Sequence, residues 1–140
     1  MVNFSTGKHL IQTSLLLFLV LTWVNDLSAH SWMAPTAAAE KKNPVASDNL
    51  SILRGQKFYT EHCSFCHGRN AMGLPPEETG FSAITPDLTT RIKNHSSGDI
   101  FWKIETGRGD MPSFKDILKE EQIWDVINYI DKIDQGHTSK

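Results

Sequence analysis

The pattern of hydrophobic and polar positions along the chain predicts helices and almost no strand. The first predicted helix is NLSILRGQKFYTEHC, residues 49–63, in which Leu50, Leu53 and Tyr59 recur at helical spacing. Gly55 and Tyr59 are four residues apart and therefore share one face of this helix. No segment of the chain alternates convincingly between apolar and polar residues, as a half-buried strand would. We therefore expect an all-α fold.

Two further segments show the same helical period. The second predicted helix, SSGDIFWKIETG, begins at Ser96, which resembles a capping box with Asp99, and Gly107 is its expected end. The third, KEEQIWDVINYIDKIDQG, has acidic residues in its first turn and ends before Gly136. The apolar stripes are Ile100, Phe101 and Ile104 in the second helix and Ile123, Val126, Ile127, Ile130 and Ile133 in the third. The longer stripe suffices to pack against the first helix.

The first 29 residues have the layout of a secretory signal peptide. Lys8 precedes an apolar run at residues 10–24, and a polar stretch then ends at Ala29, after which we expect cleavage. The alternative is an uncleaved membrane anchor, but a membrane-spanning helix needs about 20 predominantly apolar residues. The run has 15 residues and is interrupted by the polar Gln12, Thr13 and Ser14. We therefore expect an exported, periplasmic protein without stable membrane insertion after cleavage.

The remaining chain divides into a leader, one small domain and a short tail. Residues 30–49 contain two prolines and an alanine run without a sustained period, so we expect a flexible leader or linker. Residues 50–134 are expected to form the folded domain, and residues 135–140 a disordered C-terminal tail. A domain of this size buries only about 60% of the surface of its unfolded chain, which makes its stability marginal. The formal net charge of −2 gives no reason to expect a nucleic-acid partner.

The only two cysteines of the chain lie in HCSFCHG, residues 62–68. A disulfide between Cys63 and Cys66 would close a very small loop and would constrain the unfolded chain little. A thioredoxin-like dithiol would follow a strand in a βαβ unit, whereas this pair follows a predicted helix. A zinc site would need two more ligands at suitable spacing, and the remaining histidines are scattered.

The sequence Cys-x-x-Cys-His is the attachment motif of c-type haem. We therefore expect Cys63 and Cys66 to form thioethers with the haem vinyl groups and His67 to be the proximal iron ligand. The export signal agrees, because this attachment takes place on the outer side of the membrane. One covalently attached haem would also supply much of the core that so small a domain lacks. A redox-active dithiol is the remaining alternative.

The candidates for the second axial ligand are Met72, His95 and Met111. Met111 lies 44 residues after His67 in GRGDMPSF, where two glycines and a proline predict a turn that can approach a flat cofactor. Met72 follows His67 by only five residues, too few to reach the opposite face of the haem. We expect His95 to be a solvated loop histidine and Met111 to be the distal ligand.

A methionine ligand in the sixth position raises the reduction potential relative to a second imidazole. It also leaves no open position for oxygen or peroxide. The pair of His67 and Met111 therefore predicts an electron carrier and no enzymatic activity. An enzyme or gas sensor with an open haem position is the alternative from a different functional class.

Residues 51–133 resemble the class I c-type cytochromes through these motifs. The resemblance implies the cytochrome c fold, in which the N- and C-terminal helices cross and the helices pack around one covalently bound haem. It also implies that Gly55 and Tyr59 nest against the C-terminal helix, with Val126 and Tyr129 as partners. Tyr59 would then belong to the surroundings of the haem.

The same resemblance assigns further residues to the haem pocket. It implies a proline carbonyl that accepts the Nδ1 proton of His67, for which we choose Pro76 ahead of Pro75. Within PDLT, residues 86–89, Leu88 would turn towards the haem, and MPSF resembles the loop of the distal methionine. One departure from the family pattern is Ala71, which stands where many relatives have glycine.

The function that the sequence predicts is transfer of one electron at a time between periplasmic or membrane redox partners. The alternative is a haem c subunit of a larger periplasmic oxidoreductase, docked through the leader around Trp32. In either case we expect a small, transient and salt-sensitive interface with redox proteins. Basic residues that could orient a partner or neutralise haem propionates, unless they are merely solvated surface charges, are Arg69, Lys93, Lys103, Arg108 and Lys115.

Overall fold

The structure is a computed structural model and describes residues 32–138 of the chain. Within this range the regular structure is helical, and the only strand-like feature is an isolated bridge between Arg108 and Met111. The expected all-α fold is therefore confirmed. The chain divides after Met33 into two compact units, and the second unit, from Ala34, contains every element described below. In chain order these are α1 (Thr36–Ala39), α2 (Asn49–His62), α3 (Ser64–His67), α4 (Pro76–Thr79), α5 (Leu88–Arg91), a 3-10 turn (Ile92–Asn94), α6 (Ser97–Thr106) and α7 (Glu120–Thr138).

The first and last long helices, α2 and α7, cross in close contact at Gly55. A Cβ atom added to Gly55 would lie 2.0 Å from the carbonyl oxygen of Asp125 and 2.9 Å from Cβ of Tyr129. The rings of Tyr59 and Tyr129 pack beside this contact, with 5.3 Å between their centroids. The expected helix crossing and the partnership with Tyr129 are therefore confirmed. The backbone of Asp125, rather than the side chain of Val126, faces the glycine.

Leu50 and Leu53 lie on the outer side of α2, where they are 66% and 61% exposed. The buried positions of this helix are Ser51, Gly55 and Tyr59, which recur every four residues. The stripe predicted from Leu50 and Leu53 is therefore wrong. The backbones of α2 and α7 approach so closely at Gly55 that the contact needs small residues there and at Ser51, and leucine side chains at these positions would hold the helices apart.

A buried polar network also joins α2 to α7. The carboxylate of Asp125, which is 1% exposed, accepts hydrogen bonds from the Ser51 hydroxyl at 2.6 Å and from Arg54 Nε at 2.7 Å. The side-chain amide of Asn128 donates to the Ser51 hydroxyl at 2.8 Å. Burial of the carboxylate is tolerated because it is both paired and hydrogen-bonded. The hydrophobic pattern of the sequence contains no signal for this network.

The apolar core is centred on α6 and α7. Phe101 of α6 and Trp124 of α7 stack on each other with 4.3 Å between ring centroids and 24° between ring planes. Trp124 is 1% exposed, although it was not part of the predicted stripe. Other buried apolar residues of these helices are Ile104, Ile123, Val126, Ile127 and Ile130. The stripes predicted for the second and third helices therefore do face the core.

Both ends of the second predicted helix agree with the structure, whereas the C-terminal end of the third does not. The hydroxyl of Ser96 accepts a hydrogen bond from the N–H of Asp99 at 3.1 Å, and Gly107 follows the last residue of α6 with a φ of 65°. By contrast, α7 continues through Gly136 to Thr138, so it ends later than expected and includes part of the expected tail. Gly136 does not have the positive φ that a glycine at a helix end adopts, so it continues the helix.

Residues 34–48 form a strap that packs on α6 and α7. The strap contains α1, its Ala39 carbonyl accepts a hydrogen bond from Ser96 Oγ at 2.5 Å, and its Asn43 amide donates to Asn128 Oδ1 at 2.8 Å. This differs from the flexible leader expected over residues 30–49, because backbone and polar groups of the strap find partners on the helices.

The expected signal peptide and its cleavage after Ala29 lie outside the described residues. Within residues 32–138, no helix is long and apolar enough to span a membrane.

Candidate haem-attachment site

The two cysteines and His67 lie on one tight turn that continues from α2. The N–H of Cys63 donates to the carbonyl of Tyr59 at 2.8 Å, and the carbonyl of Cys63 accepts from the N–H of His67 at 2.9 Å. Cys66 and His67 occupy the last two positions of α3. The helical turn therefore fixes the spacing of the two thiols and the imidazole that the attachment motif requires.

No disulfide joins Cys63 to Cys66, and both residues are half-buried. Burial, with a smaller contribution from the neighbouring Cys66, raises the pKa of Cys63 to about 12. Burial also raises the pKa of Cys66. Redox-active dithiols have the opposite property, a lowered pKa that gives a thiolate near neutral pH. The surroundings of Cys63 and Cys66 therefore speak against the alternative of a redox-active dithiol.

The ring of His67 is held by a backbone carbonyl on a distant segment. Nδ1 of His67 lies 3.3 Å from the carbonyl oxygen of Pro86. Because a carbonyl only accepts hydrogen bonds, this contact requires the proton on Nδ1 and leaves the lone pair on Nε2. Burial lowers the pKa of His67 and outweighs the opposing contact with Pro86, so the neutral ring is favoured. A neutral imidazole held through one nitrogen is the form that ligates metals.

The structure assigns the carbonyl role to Pro86, so the choice of Pro76 is wrong. Pro76 is the first residue of α4, and its carbonyl accepts the N–H of Gly80 at 2.7 Å. The carbonyl of Pro75 likewise accepts the N–H of Glu78 at 3.0 Å. Both carbonyls therefore serve a local helical turn. Pro86 opens the segment PDLT that the sequence had already indicated, but 19 residues separate it from His67.

The loop after His67 is tied to the segment that carries Pro86. The N–H of Gly73 donates to the carbonyl of His67 at 2.9 Å, and the N–H of Leu88 donates to the carbonyl of Ala71 at 2.8 Å. A Cβ atom on Gly73 would lie only 2.0 Å from the carbonyl oxygen of Thr85. Ala71 is fully buried and has a φ of 61°, a conformation that costs a non-glycine residue about 1 kcal/mol. The hydrogen bonds of the loop backbone stabilise this conformation of Ala71, although the residue is not a glycine.

Two further predicted pocket residues belong to the framework of the site. The hydroxyl of Tyr59 donates to the carbonyl of Gly68, the residue after His67, at 2.8 Å. Leu88 begins α5 and is half-buried against the hydrophobic core. Asp87 caps this helix by accepting the N–H of Thr89 at 2.8 Å. Leu88 thus lies on the same short segment as the Pro86 carbonyl.

Met111 is half-buried and packs against the hydrophobic core. Its loop is a tight turn in which Arg108 and Met111 exchange backbone hydrogen bonds at 2.8 and 3.1 Å. Gly107 has a φ of 65°, and an added Cβ atom would lie 2.5 Å from the carbonyl carbon of Pro112. Phe114 is 6% exposed and anchors the end of the turn. The loop therefore has a defined conformation, as a ligand-bearing loop needs.

The other two candidates for the distal ligand have different surroundings. Met72 is 49% exposed. His95 lies beside the buried carboxylate of Asp99, with 2.6 Å between Nδ1 and Oδ2, and Lys103 Nζ donates to the same oxygen at 2.6 Å. Nδ1 of His95 also lies 3.1 Å from Lys103 Nζ. The expectation of a solvated His95 is wrong, and the sequence pattern did not reveal this cluster.

The cluster around His95 also determines the charge state of Asp99. Burial by itself would raise the pKa of Asp99. Hydrogen bonds from Lys103 and from the N–H of Ala34, together with the charges of Lys103 and His95, outweigh this effect and lower the pKa. Asp99 is therefore ionised at neutral pH and holds the strap, α6 and the loop before α6 together.

Of the basic residues that we expected at a partner interface, one is buried and the others are exposed. Lys103 is 9% exposed and belongs to the Asp99 cluster, so it is not a surface charge. Lys93 is exposed and pairs with Asp134, with 3.0 Å between Nζ and Oδ1. The remaining three are exposed: Arg69, Arg108 and Lys115.

The donor set of the site fits haem c. It offers two protonated thiols, a neutral imidazole that keeps Nε2 for a metal, and a half-buried thioether next to the apolar core. In the described part of the chain, no group of three or more His, Cys, Asp or Glu side chains could hold a bare metal ion.

Comparisons with known proteins identify the family of the chain. The family model described as cytochrome c oxidase, cbb3-type, subunit III matches residues 51–130. The chloroplastic cytochrome c6 of Chlamydomonas reinhardtii is 31% identical over 105 residues, which cover 73% of this chain and 68% of that protein. Cytochrome c6 of Alaria esculenta is 30% identical over 81 residues, which cover 58% of this chain and 90% of that protein.

A solved structure shares the fold. It is a chain of the Kuenenia stuttgartiensis reducing HAO-like protein complex Kustc0457/Kustc0458, with a TM-score of 0.54 and 26% sequence identity. The match covers 64% of this chain, which spans only 46% of the solved one.

The fold and the site together define a class I c-type cytochrome. The chain belongs to the cytochrome c family described as cbb3-type oxidase subunit III. It carries one covalently attached haem c and is an electron carrier, not an enzyme. The expected class, fold and cofactor are thereby confirmed.

Proposed function

We propose that this protein is an exported carrier of single electrons in which His67 and Met111 are the axial ligands of the iron. The haem would be attached through Cys63 and Cys66. The observation that carries the proposal is the 3.3 Å contact between His67 Nδ1 and the Pro86 carbonyl, because it leaves Nε2 for the iron. The bound haem supplies a reversible one-electron step between ferrous and ferric iron.

Residues of the chain have two tasks in this function. The Pro86 carbonyl fixes the orientation of His67 and raises the basicity of its ring. The turn between Arg108 and Met111 holds the thioether in one position, so little rearrangement accompanies a change of iron charge. Phe114 and the neighbouring core residues exclude water from the methionine side.

Redox proteins are the partners of this carrier, and we propose that they dock beside the attachment motif. Phe65 lies between the two cysteines and is 73% exposed, so it offers a partner an apolar contact next to the haem attachment. Arg69 is exposed just after the motif and can orient an acidic partner. An interface of this kind is small, and its association rate falls as salt increases.

A second candidate function is that of a haem c subunit in a larger oxidoreductase. It is favoured by the similarity to the chain of the Kuenenia stuttgartiensis reducing HAO-like protein complex. Size-exclusion chromatography of the protein purified from its native source separates the two candidates. A free carrier elutes at the mass of one chain, whereas a subunit elutes with its catalytic partner.

The absorption spectrum of the oxidised protein tests the axial ligands. We expect the weak near-infrared sulfur-to-iron band in the wild-type protein and its loss in Met111→Ala. The ferrous form of this variant should also bind carbon monoxide at neutral pH. Met72→Ala is the matched control and should retain the band. A bis-imidazole spectrum, or a band that persists in Met111→Ala, would overturn the proposed ligation.

Mass spectrometry of the mature protein tests the proposed export. We expect His30 to be the first residue, because cleavage should follow Ala29. Retention of residues 1–29 in membrane fractions would instead support the anchor.

A further inference from the structure

The strap, residues 34–48, is fixed at one end to the first turn of α6. The N–H of Ala34 donates to Asp99 Oδ1 at 2.6 Å. A Cβ atom on Gly98 would lie 2.3 Å from the carbonyl oxygen of Ala38 and 2.6 Å from that of Lys41. The strap therefore lies directly on the backbone of α6, and only glycine at position 98 permits this contact.

Lys41 connects the strap to α6 and α7 at the same time. Its Nζ lies 4.4 Å from the ring centroid of Phe101 in α6 and 5.7 Å from that of Trp124 in α7. It also pairs with Glu120 at the start of α7, with 3.2 Å between Nζ and Oε2. Because Phe101 and Trp124 stack on each other, Lys41 covers the aromatic pair that joins the two helices.

The loop that carries Met111, residues 107–119, connects the same two helices and is hydrogen-bonded to both. The N–H of Phe114 donates to the carbonyl of Ile104 in α6 at 3.1 Å. At the other end, the N–H of Lys119 donates to Gln122 Oε1 in α7 at 2.8 Å. The position of Met111 therefore depends on how α6 and α7 are held relative to each other.

We propose that the strap positions Met111, with Lys41 and Gly98 as the positioning residues. By clamping α6 to α7, the strap holds the ends of the loop and keeps the thioether where it can ligate the iron. A ligand must be held to within about 0.5 Å of its productive position, so a small shift of either helix weakens the bond. This inference rests on the proposed ligation by His67 and Met111.

Competition by imidazole measures the strength of the methionine bond. Imidazole is titrated into the oxidised holoprotein, and its binding is followed by loss of the near-infrared sulfur-to-iron band. Lys41→Met keeps the apolar stem but removes the cation, and we expect imidazole to bind roughly three- to tenfold more tightly. Lys42→Met, at the exposed neighbouring lysine, is the matched control and should leave the affinity unchanged.

A second pair of variants tests the contact between the strap and α6. Gly98→Ala places a Cβ atom against the carbonyls of the strap and should displace it, with an increase in imidazole affinity at least as large as that of Lys41→Met. Ser97→Ala lies in the same turn, adds no atom towards the strap and serves as the control. If Gly98→Ala does not fold, Lys41→Met and Lys42→Met decide the question.

Denaturant unfolding of the same holoproteins separates positioning from general stabilisation. The inference is overturned if Lys41→Met lowers the unfolding free energy while its imidazole affinity equals that of Lys42→Met. If the wild-type protein lacks the near-infrared band, the proposed ligation is contradicted and this inference with it. If the wild-type protein shows the band but the imidazole affinities of the variants are unchanged, only the inference about the strap is contradicted.

Discussion

The hydroxyl of Tyr59 donates a hydrogen bond of 2.8 Å to the carbonyl oxygen of Gly68, while its ring packs on Tyr129. One side chain therefore joins the crossing of α2 and α7 to the residue that follows His67. Burial, the largest cause, strongly raises the pKa of Tyr59, so the phenol stays protonated and remains a donor. The attachment motif and the helix crossing are thus a single packed unit.

Tyr59→Phe should lower the unfolding free energy of the holoprotein by about 1–2 kcal/mol, because the buried carbonyl of Gly68 loses its donor. Denaturant unfolding measures this change. Tyr129→Phe is the control, since the Tyr129 side chain is only half-buried and its loss of a hydroxyl should cost less. Equal losses in the two variants would contradict a special role for the bond to Gly68.

Gly55→Ala should destabilise the protein by about 3 kcal/mol, because its Cβ atom would lie 2.0 Å from a backbone oxygen of α7 that cannot rotate away. Thermal or denaturant unfolding measures the loss. Gly136→Ala, also within a helix, meets nothing within 4 Å and should be neutral or stabilising by up to about 1 kcal/mol. A tolerated Gly55→Ala would show that the helices do not cross so closely.

Gly73→Ala should raise the reduction potential by an amount on the order of tens of millivolts. Its Cβ atom would push the carbonyl of Thr85 away and draw the adjacent Pro86 from His67 Nδ1. The ring then loses basicity and stabilises ferric iron less. Potentiometric titration measures the shift.

Gly80→Ala is the matched control for Gly73→Ala. Both glycines have a positive φ, 79° at Gly73 and 74° at Gly80, but a Cβ atom on Gly80 meets nothing within 4 Å. Gly80→Ala should therefore reproduce the backbone strain without the change in potential. Equal potentials in the two variants would argue against the role of the Pro86 carbonyl.

The buried Asp99 should make stability depend on pH in the acid range. Its folded pKa lies below the usual value of 3.8, so the folded protein binds fewer protons than the unfolded chain there. The stabilisation is fully present above about pH 3.8 and is lost as the pH falls through the folded pKa. Asp99→Asn should therefore weaken the acid dependence and lower stability at neutral pH by about 3 kcal/mol.

Asp131→Asn should change the stability at neutral pH in the opposite direction to Asp99→Asn. Burial, followed by the neighbouring Asp134, raises the pKa of Asp131 above 3.8. Its ionised form therefore costs stability at neutral pH, and the amide should stabilise the protein there. Unfolding curves of both variants between acid and neutral pH check the two signs. A stabilising Asp99→Asn would contradict the buried ion cluster.

The sequence by itself determined the features that depend on neighbouring residues. Cys63, Cys66 and His67 form the Cys-x-x-Cys-His motif, and one tight helical turn holds the three residues close together. Ser96 and Gly107 bound α6 because caps are satisfied within a few residues. The apolar stripe of α7 faces the core because the helical period places its residues on one side of the helix.

Tertiary structure decided the features that depend on contacts between distant segments. The acceptor of His67 is Pro86 rather than Pro76, because Pro76 uses its carbonyl within its own turn. Leu50 and Leu53 face outwards because the close approach of α7 leaves room only for the small residues Ser51 and Gly55 at the helix contact. His95 is held by Asp99, and the strap is folded, because their partners come from other elements. Such pairings are set by packing in space, which local periodicity does not encode.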